Sequence, residues 1–316
     1  MAPGNTEPAP PLARRPGTMR TIAQISDLHF GAHEPAVVAH LHAALAAIRP
    51  DLIIVSGDLT QRAHRSQFAE AAGFLDRLEA EGFVLLVVPG NHDVPIHKPV
   101  SRLLWPLRRY HRYIARGRSC WHADHEIAVL GLASAHGLTV KDGRLTRVQI
   151  RSIGDRFAAA PSSAARILVT HHPLVPLPGE DVGETEPALR GARRALAAVR
   201  AAGVHLVLAG HHHTHGVTLG TDGTGRTASA GDGPPAAGPT LSIDPSVMVV
   251  QAGTATSWRR RGMPNSFNLI RLDGPRAVID EWTSDGGAFS CRERGSSSYV
   301  RSAGEHGGWA AATPAA

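Results

Sequence analysis

Residues able to do chemistry are concentrated in short motifs that follow apolar runs. Gly210-His211-His212-His213-Thr214-His215 comes directly after Val204 to Ala209, a run that reads as a buried strand. His211 and His213 are two apart, so in an extended or tightly turning segment both imidazoles leave on one side, as a metal site requires. Gly210 has no Cβ and lets the chain turn sharply off the strand. A histidine run also reads as a tag or a solvated loop, but this one is internal and follows a core strand.

Four further apolar runs end in the same kind of residue. Thr21 to Ser26 leads into Asp27-Leu28-His29, and Asp51 to Ser56 into Gly57-Asp58. Phe83 to Val88 leads into Gly90-Asn91-His92-Asp93, and Ile167 to Thr170 into His171-His172-Pro173. Open α/β sheets gather ligands outside the carboxyl ends of their strands, so these ends can converge. Asp27, His29, Asp58, Asn91, His171, His211 and His213 are more ligands than one metal ion uses. Two ions sharing a carboxylate would use them well. A thiol-free set of nitrogen and oxygen donors suits Mn, Fe, Zn or Co and argues against a closed structural zinc site.

In order and spacing these motifs resemble the calcineurin-like metallophosphoesterase superfamily, whose pattern is Asp-x-His, Gly-Asp, Gly-Asn-His-Asp/Glu, a lone His and Gly-His-x-His. The likeness covers roughly residues 20 to 283. It implies a four-layered αββα sandwich, with two mixed β-sheets flanked by helices. It also implies that Asp27, His29 and His213 hold one metal, that Asn91, His171 and His211 hold the other, and that Asp58 bridges them. His171 is taken as the ligand over His172 because family members place it two residues before the proline. His172 and His212 line the site or pack beside it. His92 would stabilise the transition state or protonate the leaving oxygen, oriented by Asp93; a structural histidine is the competing reading.

The implied activity is hydrolysis of phosphodiesters by in-line attack of a metal-bridging hydroxide. Ile25 to Gly31 and His171-His172-Pro173 are closest in style to the bacterial class III cyclic-nucleotide phosphodiesterase branch, which makes 3′,5′-cyclic nucleotides candidate substrates. A second reading is a phosphatase or pyrophosphatase on a nucleotide or lipid-linked substrate at a membrane surface. His92, where the lipid-sugar pyrophosphatase branch usually has Arg, counts against that branch. A third is a non-catalytic scaffold on the same fold, which tends to lose ligands; none is missing here.

The elements that position these motifs alternate along the chain. Apolar residues at Val37, Val38, Leu41, Leu45 and Ile48 predict a helix from about Glu34, closed by Pro50. Phe68, Ala72, Leu75 and Leu78 predict a second over Ser66 to Glu81, so parallel pairing by right-handed crossovers is expected. Further predicted elements are a strand over Glu126 to Ala133, helices near Arg147 to Ala158 and over Ala188 to Ala202, and a proline-rich loop beside the site over Pro173 to Glu186. Val247 to Ala252, Phe267 to Leu272 and Ala277 to Trp282 read as antiparallel strands of a second sheet.

The expected organisation is a disordered extension over 1–18, a single domain over 19–283 and a disordered tail over 284–316, with a flexible excursion at 220–240. Translation starting at Met19 would make the first segment an annotation extension, which mass spectrometry of the native N-terminus decides. Residues 94–119 form a basic amphipathic segment broken by Pro106. It is read either as a helix covering the core or as a cap that recognises phosphate or docks on an anionic membrane.

At 316 residues the chain is long enough for one well-filled α/β core. Lys plus Arg number 33 against 27 for Asp plus Glu, an excess of six that suits a small anionic substrate without requiring a nucleic-acid polymer. Cys120 and Cys291 support no disulfide framework, and the first 18 residues lack an apolar signal core. A cytoplasmic location is therefore expected. Oligomeric state is not legible.

Overall fold

The computed structural model describes residues 19–115, 117–118, 120–175, 189–220, 244–303 and 307–312, apart from the side chains of 293 and 294. The expected N-terminal extension, nearly all of the 220–240 excursion and most of the proline-rich loop lie outside these residues.

Strand and helix alternate first: β1 (Arg20–Ile25), α1 (Pro35–Ile48), β2 (Leu52–Val55), α2 (Arg65–Ala80) and β3 (Leu85–Val87). α1 opens on a proline, where the missing N–H costs no helix bond, and it buries Val37, Val38, Leu41 and Leu45. It stops at Arg49, whose left-handed backbone lets its N–H reach the Leu45 carbonyl. A 3-10 turn over Asn91–Asp93 leads into two short helices, α3 (Pro99–Leu104) and α4 (Arg108–Tyr113), separated by Pro106.

Then follow β4 (Trp121–Ala123), β5 (Ile127–Gly131), β6 (Gly143–Arg144), α5 (Arg147–Ala158), β7 (Ala165–Val169), β8 (Leu189–Arg190), α6 (Ala192–Ala201) and β9 (Leu206–Ala209). The last third is strand: β10 (Gly216–Leu219), β11 (Met248–Gln251), β12 (Asn265–Asp273), β13 (Arg276–Ser284), β14 (Ser290–Arg301) and β15 (Trp309–Ala311).

Among the described residues these strands make two large mixed sheets, ordered β15-β14-β13-β12-β1-β2-β3 and β10-β11-β9-β7-β5-β4, with β6 and β8 paired apart. Period-two alternation fixes how they stack. Leu52 and Ile54 of β2 point into a core between the sheets, where they meet Ile127 and Val129 of β5. Ile53 and Val55 point the other way, onto α1 and α2. Ala128 and Leu130 of β5 face Ile153 and Phe157 of α5 and Val199 of α6. Three cores separating four layers give the αββα sandwich, and each fully buried Leu or Ile stabilises it by roughly 1.5–3 kcal/mol.

Three organisational expectations change. β11 is not an antiparallel strand of a separate sheet: it runs parallel to β9 and antiparallel to β10. β12 and β13 instead extend the first sheet, β12 antiparallel to β1. Within the tail expected to be disordered, 290–301 and 309–311 are strands, because β14 pairs with β13 and β15 with β14. Its Gly/Ser-rich composition is outweighed by the open edge of β13, by Tyr299 and Trp309 packing on the inter-sheet core, and by ion pairs such as Arg292–Glu281 at 2.8 Å.

The basic segment divides in two. α4 turns Tyr110 inward, where its hydroxyl donates to the Val87 carbonyl at 2.8 Å, and Ile114 just beyond is fully buried. α3 does not cover the core in this way. No helix among the described residues is long and apolar enough to cross a membrane.

Candidate metal centre

The carboxyl ends of β1, β2 and β3 are neighbours in one sheet and those of β7 and β9 in the other, and hydrogen bonds between the stacked sheets hold the two sets of ends together. Backbone bonds tie the ends to one another: Asp27 N–H donates to the Gly57 carbonyl, His29 N–H to that of Asp58, and Gly210 N–H to that of His171. Buried Gln24 joins the sheets by donating to the Ala209 carbonyl at 2.9 Å.

On this frame the seven expected ligands form two groups. In the first, His213 Nε2 lies 3.1 Å from Asp27 Oδ1 and 3.0 Å from His29 Nε2. In the second, Asn91 Oδ1 lies 3.1 Å from both His171 Nε2 and His211 Nδ1. Asp58 stands between, with Oδ2 3.7 Å from His29 Nε2 and 3.4 Å from His171 Nε2.

The imidazoles are aimed from behind. His171 Nδ1 donates to the Ser56 carbonyl at 2.8 Å and His213 Nδ1 to that of Arg259 at 2.7 Å, so each presents Nε2 to the centre. Ser26 Oγ donates to Asp27 Oδ2 at 2.6 Å.

These residues fit a pair of cations. Asp27 Oδ1 is buried, faces two imidazoles and makes no hydrogen bond, and His29 Nδ1 is likewise buried without a partner. Donor atoms of Asp27, His29 and His213 lie within 4.8 Å of one another, as do those of Asp27, Asp58 and His171. Two buried carboxylates require positive charge nearby. Burial would push Asp27 and Asp58 up, but His213 holds the first and His171 the second well below the usual carboxylate range. Burial likewise depresses His171, yet Asp58 outweighs it and raises the ring to about 9. The donor set therefore suits a dimetal centre.

Backbone strain is concentrated in the same place. Eight non-glycine residues have positive φ among the described residues, and Asp27, His29, Asp58, His211 and His213 are five of them. Each such residue costs roughly 1–3 kcal/mol, which the surrounding bonds must offset. Gly210 is needed for space more than for a turn: a Cβ there would lie 1.9 Å from Ser26 Oγ and 2.6 Å from Asp27 Oδ2. At Gly90 it would lie 2.1 Å from Asp58 Oδ1.

His172 lies close to His171 and His211, but both of its nitrogens are engaged. Nε2 donates to the Lys141 carbonyl and Nδ1 meets Ser134 Oγ, each at 2.8 Å. It is thus a packing and hydrogen-bonding residue beside the centre. His212 is only half-buried and stacks edge-on against His211.

The expected pairing of His92 with Asp93 does not occur. His92 Nδ1 donates to the Gln61 carbonyl at 2.7 Å, which fixes the ring and leaves Nε2 3.3 Å from Arg259 Nη1. Asp93 instead accepts from the N–H groups of Leu59, Thr60 and Gly90 and from Thr60 Oγ1. It follows the 3-10 turn inward and staples the Asp58 turn to the Asn91 turn. Burial and the Asp58 charge push it up to about 7.

Sequence reasoning did not single out Ser26, Gln61 or Arg259. Ser26 abuts a ligand in sequence, and Arg259 sits in the basic run Arg259-Arg260-Arg261. The carbonyls of Ser56, Gln61 and Arg259 have no side-chain signature at all.

Comparison with known proteins agrees with this architecture. A family model for calcineurin-like phosphoesterase matches residues 20–215, more than half of the chain and all seven expected ligands. No curated protein matches in sequence. A purple acid phosphatase from yellow lupin (Lupinus luteus) seeds shares the fold at 12% identity and a TM-score of 0.61, over 87% of this chain and 53% of that one. The chain thus spans about half the length of that protein. A dimetal phosphatase from Danio rerio aligns at 12% identity and a TM-score of 0.54, over 86% of this chain and 98% of that one. By its motifs and the extent of the family match, the chain belongs to the calcineurin-like phosphoesterase family.

Proposed function

We propose that the chain is a metal-dependent phosphoesterase with two metal ions and that its preferred substrates are phosphodiesters. The observation that carries this reading is Asp58, whose carboxylate lies between two complete donor groups. Asp27, His29 and His213 would hold one ion, Asn91, His171 and His211 the other, and Asp58 both. The donor chemistry fits Mn, Fe, Zn or Co. Bound there, the ions would supply a nucleophile at neutral pH and neutralise charge on the phosphoryl group.

The chain's own residues do the rest. The Ser56 and Arg259 carbonyls fix the tautomers of His171 and His213. With Nδ1 donating to the Gln61 carbonyl, the His92 ring is held with Nε2 free to face the leaving oxygen, to which it would give a proton as the imidazolium. The exposed Arg259 guanidinium, beside His92, would bind a phosphoryl oxygen and orient the substrate.

Diesters are favoured by the motif style. 3′,5′-Cyclic nucleotides are the candidate small substrates. A lipid-linked or nucleotide phosphoester at a membrane surface is the second reading, favoured by the apolar surface of α3. A scaffold role is disfavoured because every donor is present.

The test is hydrolysis by Mn-reconstituted protein of bis(p-nitrophenyl) phosphate, p-nitrophenyl phosphate, 2′,3′- and 3′,5′-cyclic AMP and glycerophosphodiesters, with Asn91→Ala as control. Diester turnover that disappears in the control is expected. Turnover of the monoester alone would replace this reading with a phosphatase, and none with both metals bound would replace it with a scaffold or a lipid-specific enzyme.

A further inference from the structure

α3 is amphipathic in the wrong sense for a soluble surface. Its one charged residue, Arg102, is buried and sends its guanidinium to the Thr139 carbonyl. Val100, Leu103, Leu104 and Trp105 face solvent, at 68%, 59%, 56% and 57% exposure. Leu138 and Val140 on the neighbouring segment are also exposed. The two segments form one surface: a Cβ on Gly137 would lie 2.2 Å from the Arg102 carbonyl oxygen, so the backbones touch.

This surface adjoins the centre. Asn91 Nδ2 donates to the Val140 carbonyl at 3.3 Å, and His172 Nε2 to that of Lys141 at 2.8 Å. The segment that displays Leu138 and Val140 thus contacts one expected ligand directly and the packing histidine beside another.

Charge indicates the occupant. Residues 94–123 contain no Asp or Glu, and Lys98, Arg108 and Arg112, which flank the apolar side chains in sequence, are exposed. Lys141 adds to them and Asp142 opposes it. An exposed tryptophan and leucines in a segment whose charges are all cationic match a lipid interface, where apolar groups enter the acyl boundary and Lys and Arg reach the anionic headgroups. An apolar protein partner would not need the cations, and a second copy would bring like charges together.

We infer that the α3 surface docks on an anionic membrane and places the mouth of the metal centre against it. This does not depend on the proposed reaction, because it concerns surface chemistry alone.

The test is co-sedimentation of the full chain with vesicles of phosphatidylcholine alone or mixed with phosphatidylglycerol. The comparison protein carries Leu103→Ser, Leu104→Ser and Trp105→Ser. The wild type is expected to pellet with the anionic vesicles and to be released as salt rises from about 0.1 to 0.5 M. The triple variant is expected to partition at least about tenfold more weakly. Its circular dichroism and metal content should match the wild type, since the altered side chains are in solvent.

Wild type that stays in the supernatant, or a variant that pellets equally well, would overturn the inference. So would wild type that ignores vesicles but self-associates in analytical ultracentrifugation while the variant is monomeric. That outcome would assign the surface to a second copy.

Discussion

The strand-end cluster and the α3 surface break the same rule in opposite directions. At the strand ends, Asp27, His29, Asp58 and His171 are polar and almost wholly buried. On α3, leucines and a tryptophan are exposed while an arginine is buried. The first departure is largely resolved within the protein, because carbonyls, hydroxyls and N–H groups aim the buried donors into a set that suits a cation pair. The second has no such resolution among the described residues, where the apolar side chains stay more than half exposed. Buried polar groups in a closed network indicate chemistry, whereas exposed apolar groups in a predominantly cationic segment indicate a surface outside the molecule.

If the two regions have separate tasks, substitutions should separate them. Asp58→Asn removes the carboxylate shared by both donor groups. It should lower kcat/KM on bis(p-nitrophenyl) phosphate at least about a thousandfold, with loss of bound metal by mass spectrometry and unchanged vesicle binding. A parallel loss of vesicle binding would show that the regions are coupled.

His92→Ala should lower kcat by about 10²–10⁴-fold while leaving metal content intact, because each of the two donor groups keeps its own three residues without it. Loss of metal in this variant would make His92 a ligand.

Gly210→Ala tests the packing behind the centre. The added methyl must displace Ser26 Oγ or Asp27 Oδ2, so urea unfolding should show about 1–3 kcal/mol less stability.

The smallest effect is expected on α3. Serine at Leu103, Leu104 and Trp105 should shift the unfolding free energy by no more than about 0.5 kcal/mol, because these side chains contribute little to any core. A larger loss would mean that the surface is structural and would erase the contrast.

Much of the centre was legible in the residue order. The alternation of apolar runs and amphipathic stripes indicated a parallel α/β arrangement, which aligns the ends of β1, β2 and β3 in one sheet and of β7 and β9 in the other. Asp27, His29, Asp58, Asn91, His171, His211 and His213 could be picked out because each belongs to a short motif at the end of an apolar run. α5 falls over the predicted span because Thr146 and Gln149 form a capping box, a local signal. Local signals of this kind depend only on a few neighbouring residues.

Other features depended on contacts between residues distant in sequence. Asp93 beside His92 looked like its orienting partner, but the 3-10 turn sends it to the Leu59 and Thr60 N–H groups. The Gln61 carbonyl takes its place, and a carbonyl is the same in every residue. Ser290 to Arg301 reads as a polar tail until the open edge of β13 is beside it. β11 gives no sign in its own residues that β9 will be its parallel neighbour. The composition of 94–119 fits a core cover and a membrane face equally, and the packing shows that α4 buries its apolar side while α3 turns its own outward. The sequence by itself therefore determined the donor types, their order and the strand ends that carry them, because these follow from local periodicity and side-chain chemistry. The tertiary structure alone decided which atoms face the centre, which strands pair and which apolar side chains remain uncovered, because those depend on partners that no local pattern names.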